Sequence, residues 1–219
     1  VKKSIVAPSI LSADFSHLKK DVIAAVQGGA DYIHCDVMDG TFVPNISFGP
    51  MVVKTVHEIT DHPLDVHLMV QNPERYIEDF VNAGADILTI HSNACKNLAQ
   101  ALKMIRSAGC RVGVCVNPDI PLSTFEEYIT QIDVVLIMSV YAGFGGQTFI
   151  PESLDKIRRL KDIITKHSPS TRIEVDGGIN DTTGKLCVEA GADMLVAGSY
   201  IFSQETYAGA IESLRFPIS

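Results

Sequence analysis

The sequence predicts an α/β protein: a (β/α)8 TIM barrel formed by a single domain over residues 1–219. Three observations point there: a recurring phrase, a strict alternation of short apolar and longer amphipathic segments, and no linker or break in composition. The phrase is clearest in Gly28-Gly29-Ala30-Asp31 before Tyr32-Ile33-His34, and in Ala83-Gly84-Ala85-Asp86 before Ile87-Leu88-Thr89-Ile90-His91. It returns in Ala190-Gly191-Ala192-Asp193 before Met194-Leu195-Val196-Ala197, with a weaker echo in Gln131-Ile132-Asp133 before Val134-Val135-Leu136-Ile137. Physically, it describes a helix that ends at small residues, where glycine is free to take a left-handed cap, followed at once by a buried strand. A βαβ unit needs about 30 residues, so the interval between successive aspartates suits two strand–helix units rather than one.

The intervening strands fall at 5–10, 64–70, 111–116 and 172–176, which gives eight in all. Amphipathic segments at 15–26, 73–83, 98–108 and 154–166 read as helices, and Pro73 and Pro151 suit first-turn positions, where a missing N–H costs nothing. Alternation of strand and helix argues for a parallel sheet. Eight units without a break favour closure into a barrel over an open doubly wound sheet, which would need a switch point that the chain does not mark.

Composition narrows the partners. The net charge is −8 without a long block of lysine or arginine, which argues against nucleic acid or an anionic membrane as partner. No apolar run reaches the ~18 residues of a membrane span. The five cysteines, at 35, 95, 110, 115 and 187, form no C-x-x-C pair and read as reduced thiols in a cytoplasmic protein.

Two short stretches carry the chemistry, His34-Cys35-Asp36-Val37-Met38 and Asp65-Val66-His67-Leu68-Met69. Side chains alternate along a strand, so His34, Asp36 and Met38 share one face, as do Asp65, His67 and Met69. Glu174-Val175-Asp176-Gly177-Gly178 brings a second carboxylate from a strand on another side of the barrel. Active residues of this fold gather at the C-terminal ends of strands, where Ser9, His34, Asp36, His67 and Asp176 all fall. Two histidines and two aspartates suit a divalent ion such as zinc or ferrous iron better than magnesium. Two carboxylates flanking a substrate carbon can remove a proton from one face and return it to the other. His91 also ends a strand but has no acidic neighbour, and reads as structural; His17, His57, His62 and His167 read as solvent-facing.

Glycine-rich segments follow three late strands: Gly143-Phe144-Gly145-Gly146-Gln147, Gly177-Gly178 and Gly198-Ser199. Backbone N–H groups exposed by glycine make an anion cradle without lysine or arginine, which fits a phosphate monoester.

Taken together, these residues resemble the ribulose-phosphate 3-epimerase family. The matching pieces are Ala7 to Asp14, His34 to Gly40 continuing through Phe42-Val43-Pro44-Asn45, Asp65 to Val70, Gly143 to Gln147 with Phe149, Val175 to Asn180, and Val196 to Ser199. The resemblance implies a ribulose-phosphate-binding barrel: an isomerase of the pentose phosphate pathway that interconverts D-ribulose 5-phosphate and D-xylulose 5-phosphate through an enediolate. It implies His34, Asp36, His67 and Asp176 as metal ligands, with Asp36 and Asp176 also the acid/base pair. It places Ser9 and His67 on the sugar, Met38, Met69 and Met138 as an apolar wall, and Gly143, Phe144, Gly145, Gly146, Gly177, Gly178, Gly198 and Ser199 around the phosphate. The ion it implies is divalent, zinc first, with iron, cobalt or manganese also compatible, and the assembly a homo-oligomer, dimer or hexamer. Three positions depart from the family pattern: Ala142 where proline is usual, Asn93 where an acid is common, and Tyr200 where a small residue is favoured. An epimerase of a hexulose 6-phosphate such as allulose 6-phosphate is the alternative within the same chemistry. A non-catalytic sugar-phosphate-binding barrel is the alternative of another class.

Overall fold

Eight parallel strands form at the apolar runs of the sequence, in a computed structural model that describes residues 2–218. They are β1 (Ile5–Pro8), β2 (Ile33–Met38), β3 (Leu64–Met69), β4 (Ala85–His91), β5 (Arg111–Val116), β6 (Val134–Met138), β7 (Arg172–Asp176) and β8 (Met194–Ala197). Nearly every strand residue is buried, the pattern of a parallel sheet covered on both faces. Sequential strands are neighbours throughout, in the order β1-β8-β7-β6-β5-β4-β3-β2. The two ends of that series meet in a parallel bridge between Ser9 and His34, which closes the ring into a TIM barrel.

Around the strands run α1 (Leu18–Gln27), α2 (Pro50–Ile59), α3 (Ile77–Asn82), α4 (Leu98–Ser107), α5 (Ser153–His167), α6 (Asp181–Ala190), α7 (Ser199–Phe202) and α8 (Tyr207–Ser213). Their inner faces and the outward faces of the strands form one large apolar cluster, in which Cys35, Ile90, Val114, Leu160 and Leu195 are sealed from water. No helix among the described residues is long and apolar enough to cross a membrane.

Several boundaries differ from the sequence pattern for local reasons. β1 stops at Pro8 because Ser9 caps a 3-10 turn over Ile10–Ser12, its hydroxyl accepting from Leu11 N. The segment expected to be one helix from residue 15 begins as a second 3-10 turn, Phe15–His17, capped by Asp14, before α1 takes over. Pro73 opens a 3-10 turn, whereas Pro151 lies outside α5, whose N-cap is Glu152. The crossover after β5 has 3-10 turns over Leu122–Thr124 and Glu126–Gln131 in place of an α-helix. Pro118 and Pro121 interrupt the approach, and Thr124, Tyr128, Ile129 and Thr130 are weak helix formers.

The recurring aspartates have a common task. Asp31 Oδ2 accepts Val6 N at 2.8 Å, Asp86 Oδ2 accepts Leu64 N at 2.8 Å, Asp133 Oδ2 accepts Val112 N at 2.7 Å, and Asp193 Oδ2 accepts Ile173 N at 2.9 Å. Each aspartate lies just before an even-numbered strand or, for Asp86, at its second residue, and ties down an early amide of the odd-numbered strand before it. Those N–H groups lie at the start of a ladder with no strand partner of their own, and burying them unpaired would be costly. The repeat is therefore a clamp on alternate strand pairs, applied four times around the ring. Replacing Asp193 by alanine orphans Ile173 N and should cost about 1–3 kcal/mol in urea unfolding, whereas Asp193→Asn, which keeps an acceptor oxygen, should lose less.

Candidate functional site

The register between β2 and β3 assembles the centre of the site. His34 pairs with Asp65, Asp36 with His67, and Met38 with Met69, so three cross-strand pairs point together into the barrel. His34 Nδ1 donates to Asp65 Oδ2 at 2.6 Å, which leaves its Nε2 facing Asp36 Oδ1 at 3.2 Å. His67 Nδ1 meets the same Asp36 oxygen at 3.0 Å. The other oxygen of Asp36 accepts the Ser9 hydroxyl at 2.6 Å, across the seam that closes the barrel. Asp176 arrives from β7, level with Met138 on β6 and Val196 on β8. One donor atom each from His34, Asp36, His67 and Asp176 lies within 4.8 Å of the others, a spacing and donor set that fit one divalent ion.

Burial and charge push the two candidate proton carriers in opposite directions. Burial alone would raise the Asp36 carboxyl, but His34 and His67 beside it outweigh that and hold it far below the usual range. At Asp176, burial and the negative charge of Asp36 outweigh the opposing effect of His34 and raise the carboxyl to about 7. Burial opposes charge on His34, yet Asp36 and Asp65 on either side hold it protonated well above its ordinary range. Burial and the nearby charge of Asp65 keep Glu174 neutral well above the usual carboxylate range. One carboxylate ionised beside another that takes up a proton near neutrality is the pairing that acid/base chemistry requires.

Above this layer a cleft opens between the loops. It brings together Ser9, Asp36, Met38, Met69, Met138 and Asp176 at its floor and walls. The glycine segments Gly143 to Gly146, Gly177, Gly178, Gly198 and Ser199 surround its mouth, with Phe144 half exposed. His34 and His67 do not line the open cleft; both are fully buried beneath Asp36. Two glycines are there for space. A Cβ on Gly178 would come within 2.6 Å of Phe149 N at a φ of +62°, and one on Gly198 would come within 2.6 Å of Ser12 Oγ.

The loop after β6 is tied by amide side chains. Asn45 Nδ2 donates to Gly143 O at 2.8 Å, and Gln147 Nε2 donates to Tyr141 O and Phe144 O at 2.7 and 2.8 Å. Ala142 N donates to Asn117 Oδ1 at 3.1 Å, a bond that a proline there could not make. Tyr200 pairs its hydroxyl with Ser213 in α8 at 3.0 Å, and Asn93 is exposed on the turn after β4. His17, His57 and His167 are exposed as expected, while His62 is half-buried against Thr60.

Sequence reasoning left four residues out of the site. Asp65 orients His34, and its alternation with His67 was the signal available for it. Ser12 borders the cleft beside Gly198. Glu174 is fully buried within reach of Asp65 and His34, with His34 Nδ1 3.9 Å from its Oε1. His91, read as structural, places its Nε2 2.9 Å from His67 Nε2. Removing the anion from the His34–Asp65 pair should lower the pKa of His34: in metal-free Asp65→Asn, NMR titration of the imidazoles is expected to show His34 losing its proton at a lower pH than in the parent protein.

Comparison with known proteins bears on the family and the fold. The sequence model described as "Ribulose-phosphate 3 epimerase family" matches residues 5–202. Ribulose-phosphate 3-epimerase of Bacillus subtilis (strain 168) is 48% identical over 211 residues, covering 96% of this chain and 97% of its own. The enzyme of that name from Synechocystis is 48% identical over 216 residues, covering 98% of this chain and 94% of its own. Among solved structures, KGPDC from Streptococcus mutans superposes with a TM-score of 0.71 at 16% identity, covering 97% of this chain and 96% of its own, and shares the fold. With a family match across most of the barrel and near-full-length relatives at this identity, the chain is an isomerase and belongs to the ribulose-phosphate 3-epimerase family.

Proposed function

We propose that this chain interconverts D-ribulose 5-phosphate and D-xylulose 5-phosphate, one of Asp36 and Asp176 taking the proton from carbon 3 and the other returning a proton to it. The observation that carries this reading is the opposed pair of carboxylates, Asp36 held ionised and Asp176 raised to about 7, at the floor of one cleft. The names of the relatives support a ribulose phosphate as the substrate.

In each direction, the ionised carboxylate takes the carbon-3 proton from one face, and the electron pair of the broken C–H bond moves toward the carbon-2 oxygen. The protonated carboxylate opposite then returns a proton to carbon 3 from its own side, and the electron pair flows back to restore the ketone. The reverse reaction exchanges the two roles. Ser9, donating to Asp36 Oδ2, keeps that carboxylate in one orientation while its hydroxyl stays at the cleft wall near the sugar. His34, Asp36, His67 and Asp176 would hold the divalent ion, zinc first, with iron, cobalt or manganese compatible. When bound, it supplies positive charge that stabilises the enediolate oxygens. Met38, Met69 and Met138 present a soft apolar wall that keeps water from the reacting carbon. Backbone amides around Gly177, Gly178, Gly198 and Ser199, with the loop from Gly143 to Gly146, would take the phosphate.

The decisive measurement is exchange of the carbon-3 proton in deuterated water. Asp36→Asn and Asp176→Asn should each reduce exchange and turnover by at least about 100-fold, and full exchange in both would sink the two-carboxylate reaction. Prolonged chelation that strips the protein of metal, verified by elemental analysis, should abolish turnover, and a divalent ion should restore it. Gly178→Ala should act elsewhere: strain of about 1–3 kcal/mol at the phosphate end is expected to raise KM about tenfold or more with a smaller change in kcat.

A further inference from the structure

Two imidazoles meet at full burial beneath Asp36. His67 Nε2 and His91 Nε2 are 2.9 Å apart, with ring centroids 5.0 Å apart and an angle of 27° between their planes. At that separation one nitrogen carries a proton and the other offers a lone pair. Which is which depends on the far nitrogen of His67, whose Nδ1 lies 3.0 Å from Asp36 Oδ1. With a proton on Nδ1, His67 donates to Asp36 and its Nε2 accepts from His91. With Nδ1 given to a cation, the proton moves to Nε2, and His91 Nε2 must become the acceptor. The remaining proton of His91 is then on Nδ1.

That nitrogen is the second observation. His91 Nδ1 is buried and has no hydrogen-bond partner. The Phe42 ring packs at 4.7 Å from the His91 ring, and the sulfur of Cys115 lies within 4.8 Å of donor atoms of both histidines without taking part in a hydrogen bond. A purely structural histidine at full burial is ordinarily bonded at both nitrogens. His91 is bonded at one only, and that one faces a proposed ion ligand.

We propose that His91 is a positioning residue that accepts the Nε2–H of His67 and so holds His67 in the tautomer whose Nδ1 is free for a divalent cation. The inference rests on the ion site of the proposed function and adds to it a residue that touches neither substrate nor ion. Asp65 has the matching task on His34, but it is an anion, whereas burial and neighbouring His67 keep His91 neutral. The two histidine ligands are therefore unequal: His34 is made the stronger donor by its carboxylate, and His67 the weaker. Loading redistributes protons within the pair without a net loss. One moves from Nδ1 to Nε2 on His67, and one from Nε2 to Nδ1 on His91.

The test is the ring-nitrogen NMR spectrum of protein labelled with 15N at histidine, metal-free and then with one equivalent of zinc. The expected result is a His91 proton on Nε2 before zinc and on Nδ1 after. A proton that stays on His91 Nε2 after zinc has bound overturns the inference while leaving the ion site intact. A parent protein that binds no zinc overturns both. Zinc competition against a chelator gives an independent readout, with folding of each variant checked by thermal unfolding of the metal-free form. His91→Phe should weaken zinc binding about 10–100-fold, and His91→Gln, whose amide oxygen accepts the same hydrogen, should stay within about threefold of the parent. Equal affinity in all three proteins, or equal weakening in both variants, would show that His91 acts by packing or not at all, and overturn the assignment.

Discussion

The bond from His34 Nδ1 to Asp65 Oδ2, 2.6 Å long and sealed from solvent, constrains everything above it. A carboxylate at that depth is costly unless a partner answers its charge, and His34 is bonded to it to do so. Once Nδ1 is committed there, Nε2 must turn toward Asp36, and the ring can rotate no further. Asp36 in turn becomes the meeting point of His34, His67 and Ser9. The low proton affinity of Asp36 and the high one of Asp176 are thus two results of one arrangement. Two imidazoles bond the first carboxylate, whereas burial and a negative neighbour dominate at the second.

Much of this was legible in the sequence because strands obey a period of two. His34 with Asp36, and Asp65 with His67, had to share faces once those segments were strands, and a parallel barrel had to collect their ends. The glycine segments were legible for a related reason, since runs such as Gly177-Gly178 after an apolar strand imply backbone brought close to something. What stayed hidden depended on register and depth. His91 looked unaccompanied along the chain because its partner, His67, is on a neighbouring strand. Glu174 read as one letter in an apolar run, and only the closed ring shows it pressed toward Asp65. Helix starts were hidden for another reason: Ser9 and Asp14 cap short 3-10 turns, a choice made by local side-chain hydrogen bonds that apolar periodicity does not record.

The four clamping aspartates show how a recurring phrase can be structural while the chemistry beside it is not repeated. Each ties the start of one strand to the next at the N-terminal end of the barrel, far from the rim that carries the cleft. That leaves the opposite end free to vary. There, the loop after β6 is held by Asn45, Gln147 and Asn117, side chains from three separate segments. The bond from Ala142 N to Asn117 gives this loop an anchor where its backbone lacks the rigidity of proline. Stability and chemistry are thereby assigned to opposite ends of the same strands.

The barrel's seam carries a strand bridge between Ser9 and His34, and the same two residues both bond Asp36. Residues that close the ring at this rim are consequently the ones that set the proposed acid/base centre. A folding chain whose first strand has not yet docked would hold most of its hydrophobic core and yet leave Asp36 without the hydroxyl that fixes it. Turnover in such a protein would report closure of this seam, and barrels left open there would be silent whatever their secondary structure. The first strand, only four residues long, is in this sense the switch between a folded scaffold and a working one.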